Sequence, residues 1–392
     1  MLFVKYQFCR GVLICFGSMT SVRVDTELMR ARVERYTRME SPSGDPARLD
    51  ALLDVLAAGW EGVGRVSRSP ARGGSHLMVE IDATAGRAGE APVLCLGHHD
   101  TVWPVGTLDT TVPLRAGHGV LHGPGVYDMK GGLVVVETAV RALLDSGREH
   151  RPIRVLVVAD EEVGSPTARE LVEHLARDSA AVLGFEPPHL DGALKTARWG
   201  STRLRLTCTG RESHAALAPD DGVSAVDELV DQLSAVRARI GGVEGVLCNA
   251  GTIGGGGRTN VVASQAWCDL GLRFETPAAE TTVLEWFGAL AARRPGATVR
   301  AEVLGARPPW ASTPATDELM DLAVQAGRAS GQTVHGRPAR GAADTNFVAG
   351  LEVPVVDGFG PCGRGAHAPD EQIVVGSLAE RATLVAELLA RI

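Results

Sequence analysis

The run Ile153-Arg154-Val155-Leu156-Val157-Val158-Ala159-Asp160-Glu161-Glu162-Val163-Gly164-Ser165 is an apolar strand ending in adjacent carboxylates. Its unbroken Val/Leu content predicts a strand covered on both faces, as in a sheet with helices on either side. Neighbouring segments repeat that grammar, with strands predicted over 92–97, 153–159 and 181–185, and helices over 24–39, 46–59, 130–146 and 166–178. Pro42 and Gly44 stop the first of these helices. In open α/β sheets, ligands bind beyond the carboxyl ends of the strands. The chemistry-bearing residues fall there: His98-His99-Asp100 after the first strand, Glu161-Glu162 after the second, and Glu186 in Gly184-Phe185-Glu186-Pro187 after the third.

With 392 residues the chain is expected to form two domains, each able to bury a core. The pattern changes between 199 and 307: strand 201–209, helix 223–240, strands 246–253 and 261–274, helix 277–293, strand 298–304. This β-α-β-β-α-β order is a ferredoxin-like unit, here an inserted lid. Segments 317–328, 353–358 and 377–392 then return to the first domain. The expected division is an unstructured extension over 1–21, a first domain over 22–198, the inserted lid over 199–308, and the first domain again over 309–392. Within the extension, Lys5 and Arg10 precede a short apolar run that lacks an A-x-A site, and helix-compatible sequence opens after Met19. Export by an N-terminal signal is the alternative to that reading. Gly254 to Gly257 lacks the Lys-Ser/Thr ending of a phosphate loop and reads as a turn between lid strands.

Hydrophobic content of 45% and charge of 22% describe an ordinary globular protein. A net charge of -8, with no basic block, excludes a nucleic-acid-binding face. No run reaches the roughly 18–20 apolar residues of a spanning helix. Seven scattered cysteines without CxxC spacing fit reduced, buried thiols and a cytoplasmic location.

Of two adjacent glutamates, one can hold a metal while its neighbour handles a proton. In His98-His99-Asp100, residues two apart share a face of an extended segment, so Asp100 can orient the imidazole of His98. His99 stays open as an alternative ligand, because strand ends kink. Asp128, in Gly125-Val126-Tyr127-Asp128-Met129-Lys130-Gly131-Gly132, opens a helix, and a carboxylate can bridge two divalent cations held about 3.5–4 Å apart. Glu186, and His367 in Gly365-Ala366-His367-Ala368-Pro369-Asp370-Glu371, make the set sufficient for two zinc ions. Singly, these motifs are explained by a surface His pair, a helix cap or a solvated acidic loop. Their convergence at separate strand ends is much harder to obtain by chance.

Over about residues 22–392 the motifs resemble the M20 family of dizinc hydrolases, and most of all its glutamate carboxypeptidase branch. The resemblance implies an α/β, zinc-exopeptidase-type mixed sheet flanked by helices, with an inserted ferredoxin-like lid through which two chains pair. It implies two zinc ions, for which cobalt may substitute: Asp128 bridging, His98 and Glu186 completing one site, Glu162 and His367 the other. Glu161 is then the general base activating zinc-bound water, and the Asp128–Met129 peptide is cis. His214, often acting across a dimer interface, and Asn260 contact the substrate carbonyl, while Arg273 and Arg307 bind a carboxylate. Glu at position 186 matches the carboxypeptidase and deacylase branches, where aminopeptidases and dipeptidases tend to carry Asp. Ala343 departs from the Ser or Thr of many relatives and removes a hydroxyl donor. Lys195 and Arg198 could supply other anion contacts. The expected activity is hydrolysis of an amide to a carboxylate-bearing amino acid, in a small molecule or peptide. The alternatives are an N-acyl-amino-acid deacylase of the acetylornithine or succinyl-diaminopimelate type, and a noncatalytic binding protein on the same scaffold.

Overall fold

The computed structural model describes residues 12–16 and 20–392, with side chains from Val24 onward. The extension expected to be unstructured falls largely outside the described residues. Within them, Val12–Phe16 and Thr20–Val24 pair as an antiparallel hairpin. The chain divides into two compact units: residues up to Ala197 with Ser312–Pro338 and Gly350–Ile392, and Arg198–Ala311 with Ala339–Ala349. The segment 339–349, expected with the first domain, clusters with the second unit. Trp199 donates to the Ala339 carbonyl at 3.0 Å, and Asn346 Nδ2 donates to Trp199 and Pro308 carbonyls at 3.1 and 2.9 Å.

The first unit is built on a six-stranded mixed sheet in the order Val355–Val356, Ala181–Gly184, Val93–His98, Ile153–Val158, His76–Ile81, Arg65–Ser69. The first four strands are parallel, and His76–Ile81 runs antiparallel between Ile153–Val158 and Arg65–Ser69. Sequence patterning missed the last two, of which Arg65–Ser69 is polar and largely exposed and becomes a strand only through its pairing. Helix Pro46–Gly59 starts as its sequence dictates, with Asp45 accepting from the Arg48 N–H and a proline in the first turn. Helix Val375–Leu389 is buried nearly all round and packs against Gly131–Ser146, so both are core helices. The helix expected over 166–178 begins only at Arg169. The Thr167 N–H and hydroxyl both donate to Asp160 Oδ2, at 2.7 and 2.6 Å, and hold that residue outside the helix. A small antiparallel sheet joins Gly363–Arg364, Gln372–Val374, Val120–His122 and Arg115–Gly117, which brings the His367 loop beside the segment leading to Asp128.

The second unit has the expected β-α-β-β-α-β order in an antiparallel sheet: Val246–Gly255, Gln265–Phe274, Gly200–Thr209, Thr298–Arg307. Helices Ala225–Ile240 and Pro277–Gly288 pack Leu229, Val236 and Phe287 on Leu204, Leu206, Leu270, Leu272 and Phe274, covering one face. The third strand starts at Gln265, later than expected, because Val262 donates to the Ser213 carbonyl at 3.0 Å and Val261 bridges to His214. The second helix ends at Gly288 because buried Glu228 captures the N–H groups of Arg293 and Arg294, each at 2.9 Å.

Among the described residues no helix is long and apolar enough to cross a membrane. Cys95, Cys208 and Cys268 are buried, and with Cys248 and Cys362 are free thiols. Burial pushes the Cys208 thiol up to about 11.

Candidate active site

His98 ends the Val93–His98 strand between two parallel neighbours, so its side chain emerges where Glu161-Glu162 and Glu186 also leave the sheet. Asp128 precedes helix Gly131–Ser146, and its peptide bond to Met129 is cis. The two glycines that follow let this helix approach the sheet edge. A Cβ at Gly132 would stand 2.2 Å from the Phe185 carbonyl oxygen, one residue before Glu186.

One buried carboxylate organises three of these groups. Asp100 accepts the N–H groups of Glu161 and Glu162 at 3.1 and 3.2 Å and the Ser43 hydroxyl at 2.6 Å. His98 Nδ1 lies 2.9 Å from the Asp100 carbonyl oxygen and 3.3 Å from Oδ1. Nδ1 therefore carries the proton, and Nε2 is presented to Asp128 Oδ1 at 3.2 Å and Glu186 Oε1 at 3.6 Å. His99 turns elsewhere, with Nε2 3.1 Å from the Ser75 carbonyl, and burial lowers its pKa to about 4. On the other side of Asp128, His367 Nε2 lies 3.4 Å from Asp128 Oδ2 and 3.1 Å from Glu162 Oε2. One aspartate thus stands between two His–Glu pairs.

These residues fit a pair of divalent cations. In a tetrahedral site with ligand distances of about 2.0–2.2 Å, donor atoms lie about 3.3–3.5 Å apart, and the four separations above bracket that value. Glu162 Oε1 is buried without a hydrogen-bond partner among the described residues. His98, Glu161 and Glu186 offer ligand atoms within 4.8 Å of one another, as do His98, Asp128 and Glu162. Asp128 and Glu162 push the His367 imidazole up to about 11. Burial works to lower the pKa of His98, yet hydrogen bonds with Asp100 and Asp128 hold it well above the ordinary range. Four carboxylates facing two imidazoles demand positive charge, which protons meet poorly and divalent cations meet fully.

Glu371 was not singled out by sequence reasoning, although it closes the His367 motif. Its fully buried carboxylate accepts the N–H groups of Gly125, Tyr127 and Asp128 at 3.0, 2.9 and 3.1 Å, and the Trp103 indole N–H at 2.6 Å. Burial pushes its carboxyl up to about 7 against the pull of these donors. Glu371 therefore holds the turn that carries Asp128.

The remaining expected residues lie in the second unit. His214 is exposed and its Nδ1 accepts the N–H groups of Ala216 and Leu217 at 3.2 and 3.1 Å. Its ring is thereby set as the tautomer with an Nε2–H donor. Asn260 is adjacent, its carbonyl accepting from Ala215 at 3.0 Å. Arg273 and Arg307 flank Ser201 on neighbouring strands, and Arg307 Nη2 donates to Asp344 Oδ1 at 2.8 Å. Arg198 is buried and donates to the Gly341 carbonyl at 2.6 Å.

The family model of peptidase family M20/M25/M40 matches residues 94–391. The chain belongs to this family. M20 enzymes are metal-dependent hydrolases acting on peptide-like substrates, so this M20 chain is a hydrolytic enzyme. It is similar to carboxypeptidase G2 of Pseudomonas sp. (strain RS-16), 28% identical over 370 residues that cover 91% of this chain and 87% of that one. Succinyl-diaminopimelate desuccinylase of Gluconacetobacter diazotrophicus is 30% identical over 364 residues, covering 87% and 91%. The M20 fold is shared with aminopeptidase PepT from Bacillus cereus ATCC 10987, with a TM-score of 0.74 at 21% identity, covering 94% and 98%.

Asp100→Ala is expected to weaken divalent-metal affinity about 10–100-fold, because it frees the His98 ring and orphans the Glu161 and Glu162 N–H groups. Competition with a chromophoric chelator measures this, and wild-type affinity would refute the orienting role.

Proposed function

We propose that this M20 enzyme holds two zinc ions and hydrolyses the amide joining an acyl or peptidyl group to the nitrogen of a carboxylate-bearing amino acid. The observation that carries the reading is the Asp128 carboxylate set between His98 and His367, with Glu161 on the turn that also carries Glu162. His98, Asp128 and Glu186 would hold one ion, and His367, Asp128 and Glu162 the other. Bound there, the ions supply Lewis acidity to a carbonyl and lower the pKa of water. Glu161, 7% exposed at the strand end, takes the proton of the attacking water and delivers it to the leaving nitrogen. His214 donates Nε2–H to the carbonyl oxygen as negative charge develops there, with Asn260 beside it. Arg273 and Arg307 take the carboxylate.

Two relatives named as a carboxypeptidase and a desuccinylase frame the choice of acyl group. Ala343, which offers no hydroxyl, keeps the N-acyl-amino-acid deacylase reading as the second. Zinc content together with a panel of peptidyl, acetylated and succinylated amino acids tests both. Peptidyl amides turned over at least about tenfold faster than the others would carry the first reading, the reverse order the second, and zinc without turnover of any member would sink both. Pairing of two chains through the lid belongs to the same reading, supported by the edge strand Val246–Gly255 with exposed Leu247 and Ile253. A monomer mass by light scattering at micromolar concentration would overturn it.

A further inference from the structure

Where the Ile153–Val158 strand leaves the sheet, its next backbone N–H is taken by a side chain from the neighbouring strand. Ala159 is fully buried, and its N–H donates to His76 Nδ1 at 3.1 Å. His76 opens the His76–Ile81 strand, one residue before Leu77 pairs with Val157. Because Nδ1 accepts that N–H, it is unprotonated, and the ring carries its hydrogen on Nε2. Nε2 lies 3.1 Å from Thr167 Oγ1. The Thr167 hydroxyl in turn donates to Asp160 Oδ2 at 2.6 Å, and the Thr167 N–H donates to the same oxygen at 2.7 Å. A carboxylate only accepts, so the chain runs one way: Ala159 N–H to His76, His76 Nε2–H to Thr167, Thr167 O–H to Asp160.

This relay spans the loop that carries the paired glutamates. Asp160 and Thr167 are its two ends, and Glu161 and Glu162 lie between them. The loop folds back through Gly164 and Ser165, at φ 97° and 55°, whose N–H groups close on the Glu161 and Asp160 carbonyls at 2.9 and 2.8 Å. Asp160 and His76 are each 3% exposed. Asp160 Oδ1 is buried without a hydrogen-bond partner among the described residues, so its carboxylate depends on the donors that reach Oδ2. Away from water a charge-assisted hydrogen bond is strong, and losing one is costly. Asp100 grips the Glu161 and Glu162 N–H groups; the relay fixes the strand exit before them and the chain after them. Both ring nitrogens of His76 are engaged in it, so this histidine is not offered to a metal.

We propose that His76, acting through Thr167 and Asp160, is a positioning residue for Glu161 and Glu162, and that this hydrogen-bonded chain sets where the base and the metal-binding carboxylate stand relative to each other. This rests on the reading of Glu161 as base and Glu162 as ligand. The relay acts on the loop that bears them and takes no part in holding substrate, so its loss falls on turnover and on metal geometry. Thr167 is exposed, so its hydroxyl can be removed without opening the core.

The test uses the metal-loaded full chain with three variants: Thr167→Val, which keeps the shape and removes the hydroxyl, Thr167→Ser, which keeps the hydroxyl, and His76→Leu. With KM within about twofold, Thr167→Val is expected to lose about tenfold in kcat and His76→Leu about 10–100-fold, the range for groups that orient metal ligands and a reacting base. Thr167→Ser should stay within about twofold of wild type, because its hydroxyl offers the same donor and acceptor. Rates are taken well below each melting temperature, where a loss of stability alone leaves kcat unmoved. Wild-type kcat in Thr167→Val, or an equal loss in Thr167→Ser, overturns the relay while leaving the hydrolase reading intact. If His76→Leu does not fold, the Thr167 pair decides. Should no amide be turned over, cobalt(II) gives the readout, since the visible absorption of the cobalt-loaded protein follows its ligand geometry. A spectrum altered in Thr167→Val and restored in Thr167→Ser then supports the relay, and identical spectra and cobalt affinities sink it.

Discussion

Glu161→Gln is expected to keep its bound metal and its melting temperature while losing at least about a hundredfold in kcat, the lower end of what positioned proton transfer contributes. The amide preserves the shape of a side chain that is 7% exposed but cannot accept the proton of water. The Glu161 N–H that binds Asp100 at 3.1 Å belongs to the backbone and survives the change, so Asp100 keeps its partners. Metal analysis and single-turnover rates on the same preparation separate lost chemistry from lost metal. A turnover within a factor of three of wild type, in protein free of the parent enzyme, would remove Glu161 from the role of base.

Glu371→Ala is expected to lose metal affinity about 10–100-fold, and stability by about 4 kcal/mol or more. Four donors, the N–H groups of Gly125, Tyr127 and Asp128 and the Trp103 indole, would lose one buried acceptor, at about 1–3 kcal/mol for each group left unsatisfied. Relaxation and entry of water place the total at the lower part of that sum. Glu371→Gln is the sharper variant. Its carbonyl oxygen can serve the donors on one side, but its amide N–H groups would face donors on the other. It should fold and still bind metal more weakly than wild type. Urea unfolding and chelator competition give the two readouts. Stability loss with unchanged metal affinity would show that Glu371 only fills the core and does not position Asp128.

Much of the fold was legible because its signals are local. Apolar runs of five or six residues bounded by Gly, Pro and acidic residues mark Val93–His98, Ile153–Val158 and Ala181–Gly184 within a residue or so. The lid declared itself through a change of period, from helix-strand alternation to β-α-β-β-α-β. Boundaries slipped where a side chain competed with the helix or strand for backbone groups. Asp160 held Thr167 out of a helix, and Glu228 ended another by taking two N–H groups. Arg65–Ser69 was missed because an exposed edge strand has no buried face to impose alternation.

The sequence by itself determined which chemical groups are available and at which strand ends they emerge, because ligand type and strand periodicity are properties of neighbouring residues. It left open whether His98 or His99 turns toward Asp128, and it gave no sign that Glu371 would anchor a turn 243 residues earlier in the chain. Nor did it reveal that Arg273 and Arg307 would flank Ser201 on neighbouring strands. Those choices belong to the tertiary structure. A hydrogen bond to a buried carboxylate, or a cross-strand register, joins residues whose separation along the chain carries no pattern, and only the packed fold decides which donors one acceptor must satisfy.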